Sequence, residues 1–317
     1  MPYSLYTSFE RTPIFAAMDH NNDHSTIDYN RSFAVGVLLN VVFVAIEAGY
    51  GMYADSLALI ADAGHNASDV VSLLLAWGAN ALAARAATER RTYGLGKATV
   101  LASLASAVIL LTALGGIAWE ALGRFRHPQE ISGMTIIIVA AIGVVINTLT
   151  ALLFYKGQKH DLNIRGAFLH MAADAAVSLG VVVAGIVIIT TSWYWIDPVV
   201  SLVIVVVIFI GTWGLLRDSL NYAVDAVPKD VDTAGIKTFL HSFDHVIRIH
   251  DLHIWPLSTT RIALTVHLVV DSDTLDNAFL STLQKHLHDY FGIEHATIQV
   301  ENVAGAKICM LDEHANG

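Results

Sequence analysis

Charge is scarce in this chain. Only 15% of its 317 residues are Asp, Glu, Lys or Arg, against about 25% in an ordinary soluble domain. Basic residues are scarcer still, with 18 Lys and Arg against 28 Asp and Glu, a net charge of −10. That balance argues against a nucleic-acid partner, which favours a basic surface, and it suits the handling of cations. Cysteine is nearly absent. A lone Cys309 excludes an intrachain disulfide and fits a reducing compartment for the water-soluble part. The N-terminal stretch MPYSLYTSFERTPIFAAMDH has no basic region followed by a continuous apolar core, so it is not expected to act as a signal peptide. No His-Glu-x-x-His box or other paired-histidine box of a metallohydrolase occurs in the sequence, and such motifs are the usual mark of that chemistry.

Apolar residues fill the space that charge leaves. They make up 55% of the chain, and the mean hydropathy is +0.55. A bilayer crossing takes about 20 apolar residues. Runs of that length fall near residues 32–53, 57–83, 98–122, 134–156, 165–190 and 194–216, which predicts six spans. Arg85, Arg90, Arg91 and Lys97 follow the second span, and Lys156, Lys159 and Arg165 follow the fourth. Arg31 precedes the first and Arg217 follows the last, while the other side shows only Arg124 and Arg126. The positive-inside rule then places both termini in the cytoplasm. Trp119, Trp193 and Trp195 fall near span ends, where an amphipathic ring suits the interface.

The organisation read from composition is a polar N-terminal tail over 1–30, a transmembrane domain over 31–217, a cytoplasmic α+β domain over 218–303 and a C-terminal tail over 304–317. Within 218–303, VDTAGIKTFLHSF reads as a helix. VIRIHDLHIWPL and RIALTVHLVVD read as strands joined at Ser258-Thr259-Thr260. LDNAFLSTLQKHLHDYF has helical spacing of Leu and Phe, and HATIQVEN reads as a last strand. The order is αββαβ.

Two spans are impure in the same way. His65 and Asp69 lie four apart in the second, and His170 and Asp174 repeat that spacing in the fifth. Residues four apart share a helix face. An ionisable group at mid-membrane costs ~2.5–3.5 kcal/mol on insertion scales, so such groups mark function or pairing. Two imidazoles and two carboxylates form a ligand set suited to tetrahedral zinc, and the missing thiolates argue against a copper(I) route. Simple hydrogen bonding between helices is the alternative, and repetition on two helices weakens it. Small residues around both pairs (Ala61, Ala63, Gly64, Ala67; Ala172, Ala173, Ala175, Ala176) permit close helix approach. Asp62, three before His65, is either a partner to the cluster or structural.

The stretches SLALIADAGHNASD, YGLGKATVLASL, NIRGAFLHMAAD, WIDPVVSLVI, DSLNYAVDAVP and HDLHIWPLS resemble the cation diffusion facilitator family of zinc, cobalt and cadmium efflux proteins, in the family's order and across residues 31–303. The resemblance implies six transmembrane helices, a metallochaperone-like cytoplasmic domain, a homodimer in the cell's inner membrane, and efflux of Zn2+, or of Cd2+, Co2+ or Ni2+, against protons. It carries the transport site onto His65, Asp69, His170 and Asp174, with His at the first position similar to the zinc-preferring members. It carries a second, regulatory metal site onto His250, His267, His295 and Glu301. His295, Gln299 and Glu301 share one face of the last strand by alternation. Lys97 and Asp225 match a pair at the hinge between membrane and cytoplasm. The chain departs from the family at Thr99, where many members carry Glu. His20, Asp23 and His24 offer only a sparse metal-collecting tail.

Two rival classes use the same His and Asp residues. A membrane-embedded metalloenzyme needs an open metal position and a general base. A metal sensor needs no four-ligand site inside the membrane.

Overall fold

The computed structural model describes residues 29–127, 129–155, 162–271 and 277–303. The His20–His24 motif, Lys156, Lys159, Cys309 and the rest of the terminal tails lie outside the described residues. Six long helices come first: α1 (Tyr29–Tyr53), α2 (Leu57–Ala83), α3 (Lys97–Arg124), α4 (Gly133–Tyr155), α5 (Leu162–Thr191) and α6 (Ile196–Ala223). By length and composition α3, α6, Gly133–Leu153 of α4 and Phe168–Thr191 of α5 can each cross a membrane. These helices turn apolar side chains outward. Leu101, Val108, Ile109, Val203, Val207 and Ile210 are all exposed, as a lipid-facing surface requires. Trp193 and Trp195 stack at the α5–α6 connection with ring centroids 5.7 Å apart.

The helices are not equally engaged. α4 packs along α5, α3 along α6 and α2, and α1 along α2, whereas α2 and α5 touch over only a short stretch. Leu59, Leu110, Leu114, Ile136, Val139, Val181 and Ile188 belong to their shared apolar core. At one end α2 is locked to α6. Ser56, the N-cap of α2, donates to Asp197 Oδ1 at 2.6 Å, and the Leu57 amide donates to Asp197 Oδ2 at 2.8 Å. The carboxylate thus satisfies donors that a helix start leaves unpaired.

Beyond α6 lie α7 (Thr233–His241), β1 (Val246–Pro256), β2 (Ile262–Val270), α8 (Asn277–Phe291) and β3 (Ile293–Asn302). The order is αββαβ, as the sequence predicts. The sheet runs β1-β2-β3, antiparallel between β1 and β2 and parallel between β2 and β3. Ile236 and Leu240 of α7 and Leu283 and Leu287 of α8 bury against Ile254, Leu264, Val266, Leu268 and Ile293.

The sheet meets the helices through the β1–β2 turn. The Thr259 amide donates to Thr99 Oγ1 at 3.0 Å, and that hydroxyl donates to Gly96 O at 2.9 Å. Thr99 therefore joins α3 to the turn. A Cβ at Gly96 would lie 2.6 Å from Leu257 O, so only glycine allows this approach. Lys97 Nζ reaches Asp225 Oδ1 at 2.6 Å and Tyr222 O at 2.7 Å within the single chain.

Candidate metal sites

The two His-x-x-x-Asp pairs converge between α2 and α5. One ligand atom from each of His65, Asp69, His170 and Asp174 lies within 4.8 Å of the other three. His65 Nε2 is 3.3 Å from Asp174 Oδ1, and His170 Nε2 is 3.1 Å from Asp69 Oδ2. Within each helix the separations are longer, 3.9 Å for His65–Asp69 and 3.7 Å for His170–Asp174. Ligands at 2.0–2.1 Å from a tetrahedral zinc stand about 3.3 Å apart, and these four separations bracket that value. Asp174 is buried while His170 is exposed, so the cluster has a closed side and an open one. With neutral imidazoles it carries two negative charges, the complement of a divalent cation.

Asp62 is not among these four ligands. Its Oδ2 accepts from Ser178 Oγ at 2.9 Å, one turn from the cluster along both helices. Glu47 of α1 joins this polar layer by accepting from Asn66 Nδ2 at 3.3 Å. Glu47 is missing from the expected set, although it is the only charged residue between Arg31 and Asp55. The rule that flags intramembrane ionisable residues reaches it as readily as it reaches Asp69.

A second cluster sits on the sheet. His250 and His267 are direct cross-strand partners, with ring centroids 4.9 Å apart. Glu301 on β3 lies 3.3 Å from His250 Nε2 and 3.0 Å from His267 Nδ1. Asp251 lies on the other side of the His267 ring, 3.5 Å from Nε2, outside the group formed by His250, His267 and Glu301. The β1 register breaks between His250 and His253, and Asp251 has a left-handed φ of 51°. This irregularity re-aims the carboxylate, which strict strand alternation does not foresee. The donor set of imidazole and carboxylate fits zinc.

His295 is placed elsewhere. It packs edge-on against Tyr93 of the α2–α3 loop, ring centroids 5.4 Å apart. It does share a face with Glu301, but six residues at about 3.3 Å each carry it roughly 20 Å along the strand. Shared parity was necessary and not sufficient. His253 is exposed and pairs with Asp251 at 2.8 Å.

Two family models match successive parts of the chain. The model of the cation efflux transmembrane domain matches residues 33–222, and that of the cation efflux protein cytoplasmic domain matches 228–303. The chain belongs to the cation efflux family. A relative named cation efflux system protein CzcD, from Alcaligenes sp. (strain CT14), is 36% identical over 89% of this chain and 89% of its own length. A cadmium, cobalt and zinc/H(+)-K(+) antiporter of Bacillus velezensis is 33% identical over 90% of this chain and 93% of its own. The zinc transporter ZitB of Escherichia coli is 33% identical over 94% and 96%. Membership in this family makes the chain a multi-pass membrane transporter of metal cations and not an enzyme.

Proposed function

We propose that the chain exports Zn2+ from the cytoplasm in exchange for protons, by alternating access of the His65–Asp69–His170–Asp174 cluster. The observation that carries this reading is the cross-helix geometry. Four ligand atoms of the right kind gather between α2 and α5, two helices that touch over only a short stretch, an arrangement that suits opening and closing of the site by a small movement of one against the other. Ligands must be deprotonated to bind metal, so loading releases protons. Histidine suits that exchange because its unperturbed pKa is about 6.5. Cd2+, Co2+ and Ni2+ suit a related mixture of nitrogen and oxygen ligands, and relatives named for cadmium and cobalt support their inclusion.

The wider arrangement belongs to the same proposal. All six long helices span the cell's inner membrane over 31–217, with both termini in the cytoplasm. Residues 218–303 form a cytoplasmic metal-binding unit in which His250, His267 and Glu301 hold a regulatory ion, and two copies associate as a homodimer. The name of the domain that matches residues 228–303 supports the cytoplasmic assignment.

The test is zinc flux into proteoliposomes containing the purified full-length protein, with a set pH gradient. Wild type is expected to accumulate zinc and move protons the opposite way. Asp174→Ala is expected to lose accumulation, and transport equal to wild type in that variant overturns the site. Running cadmium, cobalt and nickel in parallel fixes the order of metals.

A further inference from the structure

A cavity of ≈ 350 Å³ opens where the α2–α3 loop meets the sheet. Arg85, Thr92 and Tyr93 line it from the loop, and Arg261, Glu294 and His295 line it from the sheet. None of the six belongs to either metal cluster. The volume falls within the range of small-molecule sites, about 300–1,000 Å³.

The charge here runs against that of the chain. Residues 84–96 carry Arg85, Arg90 and Arg91 and one acid, Glu89, in a protein of net charge −10. Ion pairs take up Lys97, Arg124 and Lys229. Among the described residues, Arg85, Arg90, Arg91 and Arg261 have no carboxylate within ion-pair distance, Glu294 included. The positive-inside rule accounts for the arginines of the loop. It does not account for Arg261, which belongs to the sheet.

Arg261 is half-buried and fixed. Its amide donates to Ser258 Oγ at 2.9 Å, and its carbonyl accepts from Leu257 N at 2.8 Å. A Cβ at Gly96 would lie 2.9 Å from Arg261 Nη2, so glycine lets the guanidinium rest against the start of α3. Across the cavity, Gly94 takes a left-handed φ of 74°, and a Cβ there would lie 3.5 Å from Arg85 O. The loop thus folds back over the end of α2. A charge withdrawn from water without a partner is costly. A fixed guanidinium with open donors is a preorganised receptor for an anion, and its planar fork matches phosphate. Thr92, Tyr93 and His295 add neutral donors.

The membrane supplies that anion. Leu74, Trp77 and Leu82 are exposed on α2, so the lipid-facing surface reaches the helix's last turn, and Arg85 comes two residues after its end at Ala83. The polar layer on each side of the hydrocarbon is about 5–8 Å thick, and lipid phosphates lie within it. We propose that this cavity binds a phosphate group, with the phosphodiester of an anionic phospholipid head group as its occupant. Free inorganic phosphate shares the chemistry and reaches the cavity from water. The bound phosphate bridges Arg85 and Arg261 and ties the end of α2, the helix that carries His65 and Asp69, to the sheet. From the proposed function the inference takes only that this end of α2 meets the membrane surface.

The experiment uses the full-length protein, freed of metal and lipid in detergent. Native mass spectrometry counts the molecules bound during titration with short-chain phosphatidylglycerol, short-chain phosphatidylcholine or inorganic phosphate. One phosphatidylglycerol per chain is expected to bind at least about tenfold more tightly than phosphatidylcholine. Arg85→Ala and Arg261→Ala are each expected to weaken it about tenfold or more, the worth of one hydrogen bond to a charged group. Glu294→Gln removes the acid that lines the cavity and is expected to tighten binding about two- to fivefold, a gain that a merely structural role does not produce. Arg217→Ala, which removes an exposed arginine outside the cavity, is expected to leave affinity within about twofold, since charges beyond a Debye length are screened. Inorganic phosphate that binds with the same dependence on Arg85 and Arg261, without a preference for the lipid, supports the phosphate site and assigns it to the soluble ion. Equal losses in Arg217→Ala and Arg261→Ala show diffuse surface charge and overturn the site, as does binding that neither Arg85→Ala nor Arg261→Ala weakens. If Arg261→Ala does not fold, Arg85→Ala and the charge-conserving Arg261→Lys decide in its place. No zinc is present, so failure here leaves the exchange reading untouched, and failure of zinc flux leaves this site untouched.

Discussion

Asp69 on α2 lies nearer to His170 on α5, at 3.1 Å, than to His65 on its own helix, at 3.9 Å. His65 likewise lies nearer to Asp174, at 3.3 Å. The four-residue spacing puts each pair on one face, but the tight contacts run between helices. The site is therefore arranged as a clasp, and its two halves are expected to be energetically linked. Replacing either carboxylate by its amide, Asp69→Asn or Asp174→Asn, is expected to weaken zinc binding by at least about 100-fold, the upper end of what even outer-shell changes cost a metal site. A double-mutant cycle on Asp69→Ala and His170→Ala, read by zinc calorimetry, is expected to depart from additivity by about 0.5–3 kcal/mol. Strict additivity would show that the two helices bind metal independently.

Metal choice is expected to follow from the mixture of donors. Imidazole suits zinc, nickel and copper, whereas carboxylate suits manganese and magnesium. His65→Asp makes the set one imidazole and three carboxylates, and adds a negative charge to a partly buried site. Zinc affinity is expected to fall while Mn2+ transport rises relative to zinc. Competition between the two ions in proteoliposomes measures that ratio, and an unchanged ratio means that His65 does not set selectivity.

Much of this was legible in the sequence because membrane helices leave strong periodic marks. A charged residue in an apolar run is visible at once, and four-residue spacing assigns its face. That logic reached His65, Asp69, His170 and Asp174, and it extends equally to Glu47. It fails where position depends on a third strand or an irregular backbone. His295 and Glu301 share parity, yet the rise of the strand separates them. Asp251 approaches His267 from a point where the backbone of β1 turns left-handed. The contact of Thr99 with Thr259 spans 160 residues, and no local pattern encodes it.

That distinction gives a test on the cytoplasmic side. His267→Ala or Glu301→Ala in the full-length protein is expected to remove one bound zinc per chain, counted by elemental analysis after dialysis. His295→Ala is expected to leave the count unchanged, because its ring packs on Tyr93. The metal's stabilising effect should follow the same split, since a ligand at 100 times its Kd adds about 2.7 kcal/mol to the folded state. Loss of zinc from His295→Ala, with the fold intact, would place that histidine back among the ligands.

Asp197 carries a concentrated structural role. Its carboxylate is buried at the start of α6 and takes hydrogen bonds from Ser56 Oγ, Leu57 N and Ala58 N, the last at 3.3 Å. Beside it, Arg124 of α3 holds Asp55 at 2.6 Å, so three helices meet at one polar knot. Removing the carboxylate leaves two backbone amides and a hydroxyl buried without their acceptor. Each unsatisfied group costs about 1–3 kcal/mol, while Ser56 still caps α2 through Leu59 N. Asp197→Ala is therefore expected to destabilise the protein by about 3 kcal/mol, whereas Asp197→Asn keeps one acceptor oxygen and should cost roughly half of that. Thermal unfolding of both variants in detergent measures the difference. Zinc stoichiometry should hold in whatever fraction stays folded, because the knot fixes where α2 begins and contributes no ligand. Equal melting temperatures for wild type and Asp197→Ala would mean that water replaces the carboxylate at no cost, and that α2 is held to α6 by apolar packing alone.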